Sequence, residues 1–567
     1  MKKRERILKS LFQLLAIVAV IAVVAYFSSI WYFRIDLTSE KRYTLSNTTQ
    51  EILSNLPGEV YVQVYLDGDM PIGLKKMRTA IAEMLDEFRV RSKRNLSYEF
   101  INPSEETDIS LRNKVYEELY SKGLQPINVQ SSDEEGGKSQ KIIFPGAILN
   151  YNGLEMPLNL LKSNPNLRAS ENLNSSIEGL EYELIRAIIT LSTDTIYKIA
   201  FIEGHGELYE PEVEDASKEL SRYYTIDRGV IGGKPGVLDD YKAVVIAKPT
   251  EKFSEADKLI LDQYLMNGGS LLWLIDPVVV DKDSLINSSV TLAFIQQINL
   301  DDQLFKYGIR INPTLIQDIQ CARIPINTAI VGNPPQYTPV PWLFYPLLQG
   351  KNHPISRNLN LVKSEFASTI DTISGNGNTR KTVLLSSSLY SKTFGVPNLI
   401  NLNDVKKPPH ETEFTQKNIP VAILIEGNFE SAFKNRMVSS IVPGLGDQFI
   451  ENGKAARMIV VSDGDIIRND VRIQGDKVVA MELGKDMLTQ QTYGNKDFIL
   501  NCVNYLVDDP GLMELRSREL SIRLLDRSKI DNKRLRWQLI NTLLPVILII
   551  IFGSILGIWK KKRYTKV

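Results

Sequence analysis

Residues 264–277 read YLMNGGSLLWLIDP and join the end of a helix to the start of a buried strand. The helix is predicted over Ser254 to Asn267, because the glycines that follow Asn267 adopt the left-handed conformation that ends many helices. The strand is predicted over Leu271 to Ile275, an unbroken apolar run. Strands without polar alternation are typical of a parallel sheet covered by helices on both faces. This segment therefore predicts an α/β fold.

The same pattern continues on both sides of this segment. Upstream, apolar strands are predicted at Lys198 to Glu203 and Ala243 to Ala247, with a helix to about Tyr223 between them. We therefore expect residues 197–510 to form a doubly wound parallel-sheet domain. Downstream we expect strands at Val383 to Ser387, Val421 to Ile425 and Met458 to Val461, a helix at Lys496 to Val507, and long loops at Gly332 to Pro346, Gly375 to Arg380 and Asn401 to Glu413.

Residues 35–192 show a different pattern, which predicts a smaller α/β domain. Val60 to Leu66 alternates apolar and polar residues, Leu74 to Val90 has apolar residues at helical spacing, and Leu96 to Asn102 is a second strand. Strands near 141–150 and 154–157 and a helix over 177–192 complete the unit. The order suggests a thioredoxin-like external domain, although this sequence has no CxxC motif.

Two apolar segments, Leu11–Phe33 and Leu539–Trp559, are long enough to cross a bilayer, for which about 20 residues suffice. The first ends in bulky aromatic residues, which favours an anchor over a cleaved signal peptide. Basic tails at 1–10 and 560–567 place both termini in the cytoplasm by the positive-inside rule. We therefore expect a two-pass inner-membrane protein whose bulk is periplasmic, with a charged juxtamembrane linker at 511–537.

Composition argues against several classes of function. The chain has 67 basic and 67 acidic residues, and because both ends are basic, the body between them is acidic. An acidic body is unsuited to binding nucleic acid. Cys321 and Cys502 match no zinc or redox spacing, and either two free thiols or one disulfide would fit them. Three histidines make a multi-histidine metal site improbable, and we expect no metal or cofactor.

Polar residues follow the predicted strands of the larger domain. Glu203 and His205 follow the first strand, Lys248 the second and Asp276 the third, while Asp463 and Asp465 follow the strand that ends at Val461. Because ligand sites in open α/β sheets lie at the carboxyl ends of strands, these six residues form a candidate ligand-binding edge. The alternative is structural: His205 and Glu203 would bond neighbouring loops, and Asp463 would cap a turn or helix.

Catalytic motifs are poorly matched. Residues 375–382 have the spacing of a phosphate-binding loop, but Arg380 replaces a required glycine and a strand, rather than a helix, follows. The sequence has no G-x-S-x-G or G-x-C-x-G elbow for a nucleophile. A metal-assisted hydrolase using Glu203, His205, Asp276 and Asp463 remains an alternative, since carboxylates and imidazole can hold a divalent ion.

Five segments resemble the GldG family of Bacteroidetes, the gliding-motility ABC transporter accessory proteins, in sequence and order. They are residues 37–46 (LTSEKRYTLS), 203–207 (EGHGE), 264–277, 461–465 (VSDGD) and 495–501 (NKDFILN). The resemblance implies an outer domain similar to class I glutamine amidotransferases without the catalytic cysteine. It also implies a complex with a multispan ABC permease and a cytoplasmic ABC ATPase, linked to gliding motility and to secretion.

Three hypotheses for the function follow. The first is a non-enzymatic accessory subunit that couples cytoplasmic ATP hydrolysis to an envelope partner. The second is an envelope protein that binds a glycan or peptide at the strand-end edge. The third is a metal-assisted envelope hydrolase. With one short tail at each end, the chain offers no room for an ATPase domain of its own, so we expect the energy source to be another subunit.

Overall fold

The structure is a computed structural model of the 567-residue chain. It describes residues 12, 14–21, 23, 44–132, 138–161, 168–192, 196–327, 336–357, 359–373, 377–407, 409–475, 477–487, 489, 491–507 and 527–564. The predicted tail at 1–10, most of the first apolar segment and residues 511–526 of the predicted linker lie outside these ranges. Residues 43–518 form one compact unit, the body.

Helices and strands are numbered in chain order. The helices are α1 Asn47–Ser54, α2 Ile72–Arg91, α3 Ile109–Ser121, α4 Ala169–Glu178, α5 Leu180–Ser192, α6 Glu210–Leu220, α7 Glu255–Met266, α8 Lys282–Ser288, α9 Asp301–Lys306, α10 Val438–Ile441, α11 Asn495–Val507 and α12 Arg527–Tyr564. The strands are β1 Val60–Val64, β2 Leu96–Phe100, β3 Ile127–Ser132, β4 Lys138–Ile143, β5 Gly146–Tyr151, β6 Leu154–Asn159, β7 Lys198–Glu203, β8 Thr225–Val230, β9 Tyr241–Ala247, β10 Ser270–Leu274, β11 Val278–Val279, β12 Val290–Ile295, β13 Ile309–Asn312, β14 Thr314–Asp318, β15 Cys321–Asn327, β16 Tyr337–Gly350, β17 Val362–Lys363, β18 Thr369–Thr372, β19 Gly377–Ser386, β20 Ser391–Gly395, β21 Asn398–Asn401, β22 Pro420–Glu430, β23 Asn452–Val461, β24 Val471–Gln474 and β25 Lys477–Ala480.

The first part of the body is a four-stranded sheet in the order β2-β1-β5-β6. β1 and β2 are parallel and joined by α2, whereas β5 runs antiparallel to both β1 and β6. The predicted β-α-β unit is therefore present. The buried residues of α2 recur at helical spacing, so one face of the helix covers the sheet: Leu74, Met77, Ile81, Leu85 and Phe88.

The second part is built on a ten-stranded sheet, of which five strands, β8-β7-β9-β10-β23, are parallel. β22 and β19 run antiparallel to their neighbours, so two of the three later strands do not extend the parallel sheet as predicted, whereas Met458–Val461 in β23 does. The physical reason is that a fully apolar run such as Val421–Ile425 reports burial on both faces but not strand direction. The edge strand β8 was not predicted, because its half-exposed sequence TIDRGV lacks an apolar alternation.

Alternate residues of the parallel strands point into two apolar layers. On β7, Ile199 and Phe201 join the layer that contains α6 and α11. Ala200 and Ile202 join the layer that contains α7 and α9. The first layer also contains buried residues of α1, α2, α5 and the small sheet, so one core spans both sides of the domain boundary expected at 192–197.

Two loop predictions were wrong. Tyr337–Gly350 is the long strand β16, and β19 begins at Gly377 within the predicted loop 375–380. The prolines of β16 suggested a loop, but the prolines at 339 and 325 face each other on the outer β15–β16 pair, where a missing N–H is tolerated. Because β19 overlaps the imperfect phosphate-loop match and continues beyond it to Ser386, a strand and not a helix follows the match, as predicted.

The other unit, residues 1–42 and 519–567, is described only in part. α12 begins at Arg527, so residues 527–537 of the predicted linker are helical, and Pro545 lies inside the helix. Within the described residues, α12 is the one helix with a stretch long and apolar enough to cross a membrane, Gln538–Trp559, judged by length and composition. The described residues of the first apolar segment, 12, 14–21 and 23, are helical and exposed.

Candidate functional site

The carboxyl ends of the parallel strands form one edge of the large sheet. The chain runs from β7 to β8 on one side and then to β9 on the other, so the strand order reverses between β7 and β9. Such reversal points are the usual ligand positions in open α/β sheets. Glu203 ends β7, Lys248 follows β9, Asp276 follows β10 and Asp463 follows β23. The predicted residues therefore lie along this edge.

Lys248 is the centre of the first group. Its Nζ lies 3.0 Å from Asp276 Oδ2 and 2.7 Å from Asp465 Oδ2. The Asp276 carboxylate also accepts the backbone N–H of Gly464. A Cβ at position 464 would lie 2.6 Å from Lys248 Cβ, so only glycine lets the two loops approach this closely. The ion pairs are thus closed over by the chain itself.

This group continues through residues that were not predicted. Lys282 Nζ lies 3.1 Å from Asp465 Oδ2 and also bonds the carboxylate of Glu365, which Lys363 Nζ approaches to 2.8 Å. Arg468 lies 3.5 Å from Asp465. We call the whole set the strand-end ion cluster; it comprises Lys248, Asp276, Lys282, Lys363, Glu365, Asp463, Asp465 and Arg468.

Burial and charge pull the pKa values of the cluster in opposite directions. Burial raises the pKa of Asp465, but Lys282 and Lys248 outweigh it and hold that pKa below its usual range. Burial also raises the pKa of Glu365, but Lys282 and Lys363 outweigh burial and lower this pKa to about 2. Burial raises the pKa of Asp276, and it raises that of Asp463 well above normal, with Asp276 and Asp465 adding repulsion.

Asp463 acts as a cap. Its Oδ1 accepts the backbone N–H of Asp465 at 2.8 Å and its Oδ2 accepts that of Glu365 at 2.8 Å. It begins a 3-10 turn over Gly464–Ile467 and is fully buried. These bonds join the turn after β23 to the segment that carries Glu365, and they match the capping alternative for this residue.

His205 belongs to a separate buried group. Its Nδ1 lies 3.1 Å from Glu207 Oε1 and its Nε2 lies 3.3 Å from Asp257 Oδ2. The ring stacks on Phe253 with centroids 3.7 Å apart. Burial lowers the pKa of His205, but the two carboxylates outweigh burial and raise it overall. Asp257 lies in the first turn of α7, so His205 fastens the β7 turn to that helix.

Glu203 forms a third contact on the same edge. Its Oε1 accepts Arg228 Nε at 2.8 Å, and Arg228 also donates to the carbonyl of Leu208 at 3.0 Å. Arg228 lies on β8, so this pair joins neighbouring strands. The structure therefore brings Lys248, Asp276, Asp463 and Asp465 together and gives Glu203 and His205 partners of their own.

Four partners of the predicted site residues were not predicted from the sequence, and only two of them stand at positions that a local pattern marks. Glu207 and Asp257 stand at recognisable positions, two residues after His205 and three residues after the Ser254 cap. Lys282 and Glu365 are 83 residues apart and follow no strand end of the parallel sheet, so no local pattern marks them. Only the folded topology brings them to Asp465.

Other chemistry in the described residues is limited. No group of three or more His, Cys, Asp or Glu side chains there is arranged to hold a metal ion. Cys321 and Cys502 are both free thiols. Two cavities lie elsewhere: one of about 510 Å³ at the amino ends of β9 and β10, beside Lys242 and Ser270, and one of about 330 Å³ beside Tyr264 and Leu445.

Fold and site together define an α/β protein with a long apolar helix, whose strand-end edge is occupied by ion pairs of its own chain. The chain belongs to the family described as an ABC-type uncharacterized transport system, whose model matches residues 197–502. It is thus an auxiliary protein of an ABC-type transport system, and the apolar helix together with this family indicates membrane association. A domain of unknown function, DUF7088, matches residues 39–150.

Individual relatives are distant. An uncharacterized protein of Borreliella burgdorferi is 21% identical over 548 residues, which cover 94% of this chain and 95% of that protein. Among solved structures, the mmIFT52 N-terminal domain matches 48% of this chain and 88% of its own at a TM-score of 0.28 and 15% identity. The exo-beta-1,4-mannosidase Op5Man5 from Opitutaceae bacterium strain TAV5 matches 68% of this chain and 45% of its own chain, at a TM-score of 0.18 and 9% identity.

Proposed function

We propose that this protein is a non-enzymatic accessory subunit that couples ATP hydrolysis by a cytoplasmic ABC ATPase, through a multispan permease, to a partner in the cell envelope. The family match over residues 197–502 is the observation that carries the proposal, because it covers every strand of the ten-stranded sheet. The GldG resemblance adds gliding motility, secretion and a Bacteroidetes source to the same proposal.

The proposed topology has two spans, with both termini in the cytoplasm and the body in the periplasm. α12 supplies a span by length and composition. Basic residues flank its apolar stretch on both sides, at 533–536 and 560–563, so the proposed orientation rests on the basic tail at 1–10, which favours the cytoplasm. The strand order β2-β1-β5-β6, with one parallel and two antiparallel pairs, supports a thioredoxin-like interpretation of the first part of the body. We keep 35–192 and 197–510 as the proposed domains.

The arrangement of the strand-end edge supports a non-enzymatic role. The His205 imidazole is held between two carboxylates, and the acids Asp276 and Asp465 are bound by lysines. A nucleophile or general base has to reach a substrate atom, whereas these groups are engaged with each other. The edge is built to join loops, so we assign the activity of the protein to its partners.

Removal of the apolar helix tests this proposal. A chain truncated before Arg527 should keep a folded body and lose activity in the transport or motility assay of its host. A chain in which an unrelated apolar helix of the same length replaces the 22 residues Gln538–Trp559 is the matched control. We expect this control to keep the protein in the membrane. Full activity of the truncated chain would contradict the proposal.

The strand-end edge also supports one alternative, the binding of an envelope glycan or peptide by Glu203, His205, Lys248, Asp276, Asp463 and Asp465. A ligand there would have to displace existing ion pairs. Single alanine variants test it: loss of activity with unchanged stability favours binding, whereas loss of both favours a structural role. The hydrolase alternative requires the purified protein to cleave envelope material and His205→Ala to abolish the cleavage.

A further inference from the structure

The chain enters the described part of the body beside α5. The backbone N–H of Ser46 donates to Glu181 Oε1 at 2.8 Å. Ser46 also caps α1 by accepting the N–H of Thr49 at 2.9 Å. Glu181 is buried in the first turn of α5, where the helix dipole favours a carboxylate. A charge-assisted hydrogen bond therefore fastens the leading segment of the body to the start of α5.

The last described helix of the body, α11, lies beside the same helix. Arg186, also buried, donates from Nη2 to Asn504 Oδ1 at 2.7 Å, and Asn504 lies in the last turn of α11. The guanidinium carbon lies 3.7 Å from the ring centroid of Tyr223, and Tyr224 donates its hydroxyl to Asn504 at 3.1 Å. α11 ends at Val507, ahead of the segment that leads to α12.

Geometry places the two fastenings close together on one rigid element. Glu181 and Arg186 are five residues apart, which corresponds to a rise of about 7.5 Å and a rotation of about 140° along an α-helix. α5 thus holds the leading segment on one side and α11 on another. Its inward residues are part of the core shared by both sheets, including Leu184, Ile185 and Ile188.

We propose that α5 is a clasp that mechanically joins the two ends of the body, so that force applied where the chain enters is transmitted to where it leaves through α5. This inference rests on the proposed function, because it names the element that would carry load between the two anchored ends. A body fastened in this way moves as one piece when either end is pulled.

Hydrogen–deuterium exchange on the full chain in mild detergent tests the clasp. Arg186→Met removes the guanidinium and keeps an unbranched side chain of similar length. We expect amides of α11 to exchange about 10- to 100-fold faster, the range for losing a hydrogen bond to a charged group. The clasp further predicts that amides of α1, which is fastened to α5 through Ser46 and Glu181, become faster in the same variant. Arg186→Lys, which keeps the charge, should restore part of the protection of both helices.

Asp262→Asn is the control. Asp262 is buried in the other apolar layer, where it accepts the Tyr307 hydroxyl and the Ala432 N–H, both at 2.7 Å. This change should loosen α7 and leave α1 and α11 unaffected. If Arg186→Met fails to fold, Glu181→Gln offers the converse measurement, in which loosening of α1 should extend to α11.

The result that overturns the clasp is loosening confined to one side: α11 exchanging faster while α1 keeps wild-type protection, or the reverse in Glu181→Gln. This outcome is distinguishable from failure of the proposed function, which depends on the partners recovered with the chain. A variant that loosens both helices and loses activity while still recovering a permease and an ATPase supports both inferences. Loosened helices with full activity would show that the clasp carries no load.

Discussion

Replacing Asp465 by asparagine should destabilise the body strongly. The carboxylate is 4% exposed and serves both Lys248 and Lys282, whose side chains are only 18% and 30% exposed. Removing one partner of a buried ion pair costs about 3–5 kcal/mol, because a charge is left buried without compensation. Lys248 keeps Asp276 and Lys282 keeps Glu365, so we expect a cost near the lower limit, about 3 kcal/mol.

The measurement is guanidinium unfolding of the full chain in mild detergent, followed by tryptophan emission; Trp273 and Trp342 are buried in the body. Asp404→Asn is the matched control, since Asp404 pairs with Lys407 at 2.9 Å on the surface and should cost at most about 1 kcal/mol. The double variant Asp465→Asn, Lys248→Met should lower the free energy of unfolding by less than the sum of the two single changes, because it also removes the buried charge that loses its partner in Asp465→Asn.

Two results would refute this reasoning. If Asp465→Asn costs no more than Asp404→Asn, the cluster does not hold the loops together. If the double variant is strictly additive, Lys248 and Asp465 do not act as a pair. Either result would return the edge to the ligand-binding alternative, in which these charges serve a partner molecule rather than each other.

Three further outcomes are expected. The pKa of His205 is raised in the folded protein, so its contribution to stability is complete below the unfolded pKa of about 6.5 and is lost as pH rises through the folded pKa. The melting temperature should therefore fall less steeply between pH 6 and pH 9 in His205→Gln than in the wild-type protein. Asp463→Ala should lower the free energy of unfolding by about 0.5–2 kcal/mol or more, the range for a lost cap, measured by the same guanidinium titration. Gly206→Ala should lower the melting temperature, because φ is +71° and a Cβ would lie 2.1 Å from Thr250 Oγ1, whereas Gly153→Ala, with φ +84° and no atom nearby, should lower it less.

The parallel strands could be predicted because their burial is written locally. Lys198–Glu203 was predicted with the bounds that the structure has, and the helix and strand around residues 264–277 differ by one residue at their ends. Strand direction could not be predicted for β19 and β22, since both faces of a central strand are apolar whichever way it runs. β16 was not predicted because its prolines are typical of a loop, although every second residue from Trp342 to Leu348 is buried in the structure.

The candidate site was predictable to the extent that it depends on strand ends. Lys248, Asp276 and Asp465 meet because their strands are adjacent, which follows from the α/β topology. Their second partners could not be predicted, because Lys282 and Glu365 come from connections whose path depends on long-range packing. His205 was placed on the right edge, but its two carboxylate partners draw it into a separate group.

Gentle solubilisation of native membranes, capture of this chain and identification of the proteins recovered with it would test the central claim most directly. The account predicts a multispan ABC permease together with an ABC ATPase, present with the full chain and lost when the chain is truncated before Arg527. Recovery of the intact chain without either subunit would contradict it.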